Sequence, residues 1–216
     1  MRSHFLPEEG YGQEFPTWAN LRILLAEDNA IEAMGIKSIL NNLGHTVVSI
    51  ARNGEEAVRF TSSTDPDLII MDIKMPKLNG IEASSGILKK QSIPIIILTA
   101  YPEETYINEA SELGIFGFRT KPVREIDLKT EIKITMDRFY ERELLKERIS
   151  ELEEWRTTRK LVEKAKGILM EKHGISEEIA YKSIHKHSRN HCLNIAETAT
   201  MILDGGEIPI LVSQNE

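Results

Sequence analysis

The chain has 216 residues, 41% of them hydrophobic and 28% charged, with a formal charge of −7. This is an ordinary globular composition, long enough for one core plus an accessory domain. The charge argues against a wholly basic nucleic-acid binder, but it is uneven. Residues 160–203 hold seven Lys/Arg against five Asp/Glu, plus four His, leaving twenty Lys/Arg against twenty-nine Asp/Glu elsewhere. The C-terminal part can meet phosphate, and the front part can do so only with a metal. Cys192 is the only cysteine, so no intramolecular disulfide forms and a reducing, cytoplasmic setting is expected. No apolar run approaches a membrane span. Residues 1–20 lack the apolar core of a signal peptide and read as a poorly ordered tail, with Phe15 and Trp18 as candidates for packing on the adjacent domain.

From residue 21 to about 124, short apolar runs alternate with helix-period segments. Residues 22–26 read as a first strand. Residues 31–40 have helical spacing and stop at Asn41-Asn42-Leu43-Gly44. Residues 46–50 are a second strand and 54–62 a short helix, and Asp65-Pro66 breaks before the third strand at 68–72. A helix over 81–90 comes next. Pro94 opens a fourth strand, 103–113 is a helix ended by Gly114, and 116–120 is a short fifth strand. Strands that are almost wholly apolar imply burial on both faces, as in a parallel sheet covered by helices. The expectation is therefore an α/β, flavodoxin-like, doubly wound five-stranded parallel sheet.

Beyond Pro122 the strand signal ends. Residues 136–170 read as one long helix, with Leu145, Leu152, Trp155, Val162 and Leu169 at heptad-like positions that Arg159 and Lys166 interrupt. This predicts a short coiled-coil seam and self-association. His173-Gly174 ends the helix, and Ser176 caps the next, whose apolar face is Ile179, Ala180, Ile184 and His187. A last helix spans 193–203, with Ile195, Ala199 and Ile202 inward and Gly205-Gly206 as its stop; residues 207–216 read as loose. Two short helices bury too little alone and must pack on the end of the long helix or on a partner chain, giving a small all-α three-helix domain.

Several apolar strands stop at polar groups: Glu27-Asp28, Asp72, Thr99 and Lys121. All fall at the same end of the sheet, where open α/β folds bind ligands. A carboxylate attacks a phosphoryl group poorly unless a metal and a cation offset the repulsion. Asp28 and Asp72 can ligate Mg²⁺, with Glu27 acting through water. Lys121 can neutralise a phosphoryl oxygen and Thr99 can hydrogen-bond another. The product is an acyl phosphate on Asp72.

These residues, with Asn29, the run from Asp72 to Pro76, Asn79-Gly80, Ala100 and Pro122, resemble the response-regulator receiver domain over 20–138. The resemblance implies phosphoryl transfer to Asp72 from a sensor histidine kinase, a metal held by Glu27, Asp28, Asp72 and the backbone carbonyl of Lys74, and switch roles for Thr99, Phe118 and Lys121. Glu27 stands where Asp is commoner in the family. At the other end, the run from Glu163 to Met170, the run from His173 to Glu178 and Ala180-Tyr181 resemble the ANTAR domain over 156–204. That family takes its name from the AmiR and NasR antitermination regulators, and the resemblance implies binding of RNA stem-loops by a dimer.

The implied domains are a tail (1–20), a receiver (21–138), a coiled-coil linker (139–160), an ANTAR domain (161–204) and a tail (205–216). Candidate RNA contacts are Lys164 and Lys166 beside Gly167, where backbone can approach a phosphate or base, and Lys182, His185, Lys186 and Arg189 along the second helix. The family carries more arginine there. The cluster of His185, His187, His191 and Cys192 reads as ordinary histidines rather than a metal site. A DNA-binding output would need a basic recognition helix, and 193–203 has no Lys or Arg. A phosphatase using an Asp nucleophile would need a second Asp where Lys74 stands. A protein-binding output stays open. No enzyme activity beyond self-modification of Asp72 is expected.

Overall fold

The computed structural model describes residues 17–100 and 102–211. Phe15 lies outside the described residues. Contacts divide the chain into one unit ending at Glu143 and another beginning at Leu144.

In the first unit, five strands alternate with helices: β1 (Arg22–Ala26), α1 (Ala30–Asn42), β2 (Thr46–Ala51), α2 (Gly54–Thr64), β3 (Leu68–Asp72), α3 (Gly80–Leu88), β4 (Ile95–Thr99), α4 (Glu104–Glu112) and β5 (Gly117–Thr120). All pairings are parallel and the order is β2-β1-β3-β4-β5. The doubly wound expectation is met. Helix bounds are set by caps: Asn29, Asn53 and Asn79 each accept a hydrogen bond from the first turn of α1, α2 and α3. The helix α3 begins one residue before its apolar period because Asn79 and Glu82 form a capping box.

Both sheet faces are covered. One core joins Leu24, Ile69, Met71, Ile95 and Ile97 to Ala57, Ile81, Ile87 and Ala110 of α2, α3 and α4. The other joins Ile23, Leu25, Ile70 and Ile96 to Ala33, Ile36 and Leu40 of α1 and to Leu128, Ile132 and Met136. The last three belong to α5 (Glu125–His173), a helix of 49 residues. It starts well before the first heptad position, because Glu125 and Asp127 supply acid to its first turn. Trp18 donates to Asp137 at 2.6 Å and packs edge-on to Tyr140.

The second unit contains the rest of α5, α6 (Glu177–Asn190) and α7 (Ile195–Leu203). Ser176 caps α6, as its sequence predicts. The α7 helix starts two residues later than expected because Asn194 is its N-cap, in a capping box with Glu197. Val162, Ala165, Leu169, Ala180, Ile184, Ala199 and Ile202 form its core. The structure differs from the sequence expectation at two places. Val162 and Leu169 do not continue a seam; they are consumed in this core, whereas Leu145, Leu152 and Trp155 are 62%, 65% and 61% exposed. Nor are residues 207–211 loose: Ile208 is buried, Ile210 packs beside it, and the Leu211 N–H donates to the Ser183 hydroxyl at 2.9 Å. Two more apolar side chains help to close a core that three short helical segments would leave open.

Candidate functional site

Sheet register assembles the first site. Ala26 lies opposite Met71, and Asp72 opposite Leu98, so Glu27 and Thr99 follow on either side of Asp72. Each apolar strand drives its last polar residue to the same edge. The backbone then approaches closely: the Gly80 N–H donates to the Ile73 carbonyl at 2.9 Å, and a Cβ on Gly80 would overlap the Asp72 carbonyl. Only glycine lets α3 begin so near the phosphoacceptor candidate. Glu27, Asp72 and Thr99 are buried and Asp28 is exposed.

Carboxylate oxygens of Glu27, Asp28 and Asp72 lie within 4.8 Å of one another. Three oxygen donors of this kind suit a hard divalent cation. Lys121 projects into the group, with its Nζ 2.6 Å from Glu27, 2.7 Å from Asp72 and 2.8 Å from Glu32. Burial raises the Glu27 carboxyl above its ordinary value, and the hydrogen bond from Lys121 offsets this only in part. Burial pulls the Lys121 ammonium down, but its hydrogen bonds to Asp72, Glu27 and Glu32 outweigh this and hold it above its usual value. The structure thus brings Glu27, Asp28, Asp72, Thr99 and Lys121 to one edge. Lys74 is exposed, with its ammonium 3.4 Å from Glu103. Phe118 is half-buried on β5, opposite Ile97, and packs on the core under α3 and α4. Sequence reasoning missed Glu32. Its signal is its place in the first turn of α1, four residues after Asp28 on the same edge.

The second unit sorts the RNA candidates. Lys182, His185, Lys186 and Arg189 do converge, lining a cavity of about 500 Å³ together with Tyr181 and Leu211. The Tyr181 and His185 rings meet edge-on at 4.4 Å. The buried His185 Nε2 finds no hydrogen-bond partner among the described residues. Lys182 also pairs with Glu178 at 2.6 Å. Lys164 and Gly167 are exposed. Lys166 departs from expectation. Its side chain is buried, and its ammonium lies 2.6 Å from Glu177 and 2.9 Å from Glu163, pinning α6 to α5 instead of facing outward. Those two hydrogen bonds, Glu163 first, hold it above its usual value. Tyr181 and Leu211 join the cavity without having been expected there. Aromatic spacing could have found the first, but Leu211 arrives only through the folding back of residues 207–211.

An acid triad with a lysine at the C-terminal edge of a five-stranded parallel sheet defines a receiver-type domain. Comparison with known proteins agrees. The family "Response regulator receiver domain" matches residues 23–133 and the ANTAR domain family matches 150–203. "Transcriptional regulatory protein PdtaR" of Mycobacterium tuberculosis is 37% identical over 183 residues, 85% of this chain and 89% of that one. "Transcriptional regulatory protein YdfI" of Bacillus subtilis is 38% identical over 101 residues, 46% of this chain and 47% of that one. Among solved structures, the response regulator domain of Thermotoga maritima CheB superposes with a TM-score of 0.51 at 34% identity, covering 54% of this chain and 96% of that one. The chain belongs to the response-regulator family, and carries a receiver domain followed by an ANTAR domain. Among the described residues no helix is long and apolar enough to cross a membrane.

Proposed function

We propose that this chain is a phosphorylation-switched RNA-binding antiterminator. One observation carries the reading: a complete receiver-type acid site, with Lys121 on Asp72 and Glu27, occurs in a chain whose C-terminal part matches the ANTAR family. The match to PdtaR over most of both chains supports it.

Glu27, Asp28, Asp72 and the Lys74 carbonyl would hold Mg²⁺, which supplies charge neutralisation at the transferring phosphoryl group. An Asp72 carboxylate oxygen attacks the phosphorus of a sensor kinase phosphohistidine. The new O–P bond forms as the P–N bond breaks, and the freed imidazole takes up a proton. Lys121 then pairs with one phosphoryl oxygen and Thr99 donates to another. Phe118, whose strand carries it beside the core under α4, is the side chain placed to pass that change on. The protein acts on itself and is not otherwise an enzyme. A cytoplasmic location accompanies this reading.

Phosphorylation favours a dimer. The exposed Leu145, Leu152 and Trp155 of α5 offer a short apolar seam for it. The dimer holds paired RNA stem-loops on Lys164, Gly167, Lys182, His185, Lys186 and Arg189. Binding to tandem stem-loop RNA and to duplex DNA, with and without beryllofluoride and Mg²⁺, is measured while mass in solution is recorded. RNA binding that strengthens with dimerisation is the expected result. Monomers that ignore both phosphoryl mimic and RNA overturn it.

A further inference from the structure

Lys121 has one more partner than phosphoryl transfer requires. An ammonium has three protons to donate, and three carboxylates accept from this one: Glu27, Asp72 and Glu32. Glu27 and Asp72 belong to the set whose oxygens lie close enough to share a cation, and Glu32 does not. It is nevertheless a held carboxylate. It stands in the first turn of α1, where the helix end favours negative charge. Its Oε1 accepts from the Asn29 side-chain amide at 3.2 Å, while its Oε2 accepts from Lys121 at 2.8 Å.

We propose that Glu32 is a positioning residue that keeps Lys121 on the α1 side of the acid site until a phosphoryl oxygen displaces it. It thereby sets how tightly the site accepts a phosphoryl group. The inference rests on the receiver reading above. A phosphoryl oxygen can reach the ammonium only if one acceptor gives way. Glu32 is the cheapest to release, because its side chain is 46% exposed and regains water, whereas those of Glu27 and Asp72 are 2% and 9% exposed. A cation at the triad would draw on Glu27 and Asp72, leaving Glu32 as the acceptor that competes with the phosphoryl group. Removing it therefore favours the anion and leaves the cation site nearly unchanged.

The test uses the full chain and two separate titrations: Mg²⁺ alone, and beryllofluoride at saturating Mg²⁺ followed by ¹⁹F NMR. Glu32→Gln is expected to bind beryllofluoride about two- to five-fold more tightly, the range of a part-exposed ion pair, with Mg²⁺ affinity changed less than about two-fold. Glu32→Asp, which keeps the charge on a shorter arm, is expected to fall between Glu32→Gln and the parent. In a Lys121→Met background the Glu32→Gln gain is expected to vanish. Equal beryllofluoride affinity in Glu32→Gln and the parent overturns the proposal. So does a gain that survives undiminished in the Lys121→Met background, because Glu32 would then act through charge alone. A parent chain that takes up no beryllofluoride and is not labelled at Asp72 by a small acyl phosphate donor overturns the receiver reading itself, and this inference falls with it.

Discussion

Each unit of the molecule buries a lysine among carboxylates, Lys121 with 12% and Lys166 with 8% of its side chain exposed. Their surroundings differ in which partner bears the burial. Around Lys121 the Glu27 and Asp72 side chains are 2% and 9% exposed, so both need a cation beside them. Around Lys166 the Glu163 and Glu177 side chains are 54% and 67% exposed and are content in water. The first arrangement stores an unmet demand for positive charge, which a metal can answer while the lysine turns to an incoming anion. The second is a strut between helices. A buried lysine with carboxylate partners is thus a site only where the carboxylates cannot be left alone.

The largest effect expected from this contrast lies at Lys121. Lys121→Met should lower the rate of Asp72 phosphorylation by about 100-fold, the scale of losing one positioned donor to a developing anion. It should also leave Glu27 and Asp72 facing each other without a counter-ion, so added Mg²⁺ should stabilise the variant more than it stabilises the parent. Thermal melts with and without Mg²⁺, beside a time course of phosphorylation, check both. Equal stabilisation of variant and parent by Mg²⁺ breaks the contrast.

Lys166→Met should do much less. Two solvated glutamates lose a partner, and stability should fall by no more than about 1 kcal/mol in denaturant titration. RNA affinity and its dependence on salt should not change, because the ammonium faces Glu163 and Glu177. A fall in the salt slope of about one unit would make Lys166 a phosphate contact and erase the distinction from Lys121.

The receiver part of this picture was legible because its physics is local and repeated. Strands that are apolar to the last residue must be buried on both faces, and a polar residue ending each one must lie at the sheet edge. That logic leads to Asp72, Thr99 and Lys121 from the sequence alone. It did not reach Glu32: the first turn of α1 marks that glutamate, but nothing in an apolar period says that it leans toward a lysine 89 residues away. The helical unit was legible at its caps and core but not at its charges. Lys166 interrupts the heptad seam in sequence and reads there as an outward-facing RNA contact, yet α6 folds over it. Residues 207–211 lack any periodic signal, and only the apolar gap left by short helices explains why Ile208 and Ile210 fill it.

The smallest expected effect concerns two histidines, one in each unit. Burial lowers His45 below the ordinary imidazole value of 6.5, and burial together with the nearby His191 lowers His187 below the same value. The His45 Nδ1 accepts from the Leu21 N–H at 3.3 Å, and the His187 ring stacks on His191 with centroids 4.1 Å apart. In both cases the unfolded chain takes up the proton first as pH falls. Each contribution to stability is therefore intact above the unfolded value and is lost as pH drops below it toward the folded value. Both units should lose protection against amide hydrogen exchange between about pH 7.5 and 5.5, after correction for intrinsic rates. Substitutions then separate the two. His187→Gln removes the titrating ring, so it should flatten the response of α6 and leave the sheet untouched. His45→Gln should do the reverse. A variant that flattens both would mean that the two regions open together, and the difference between an acid site and a strut would have to be sought in the cooperativity of the whole chain.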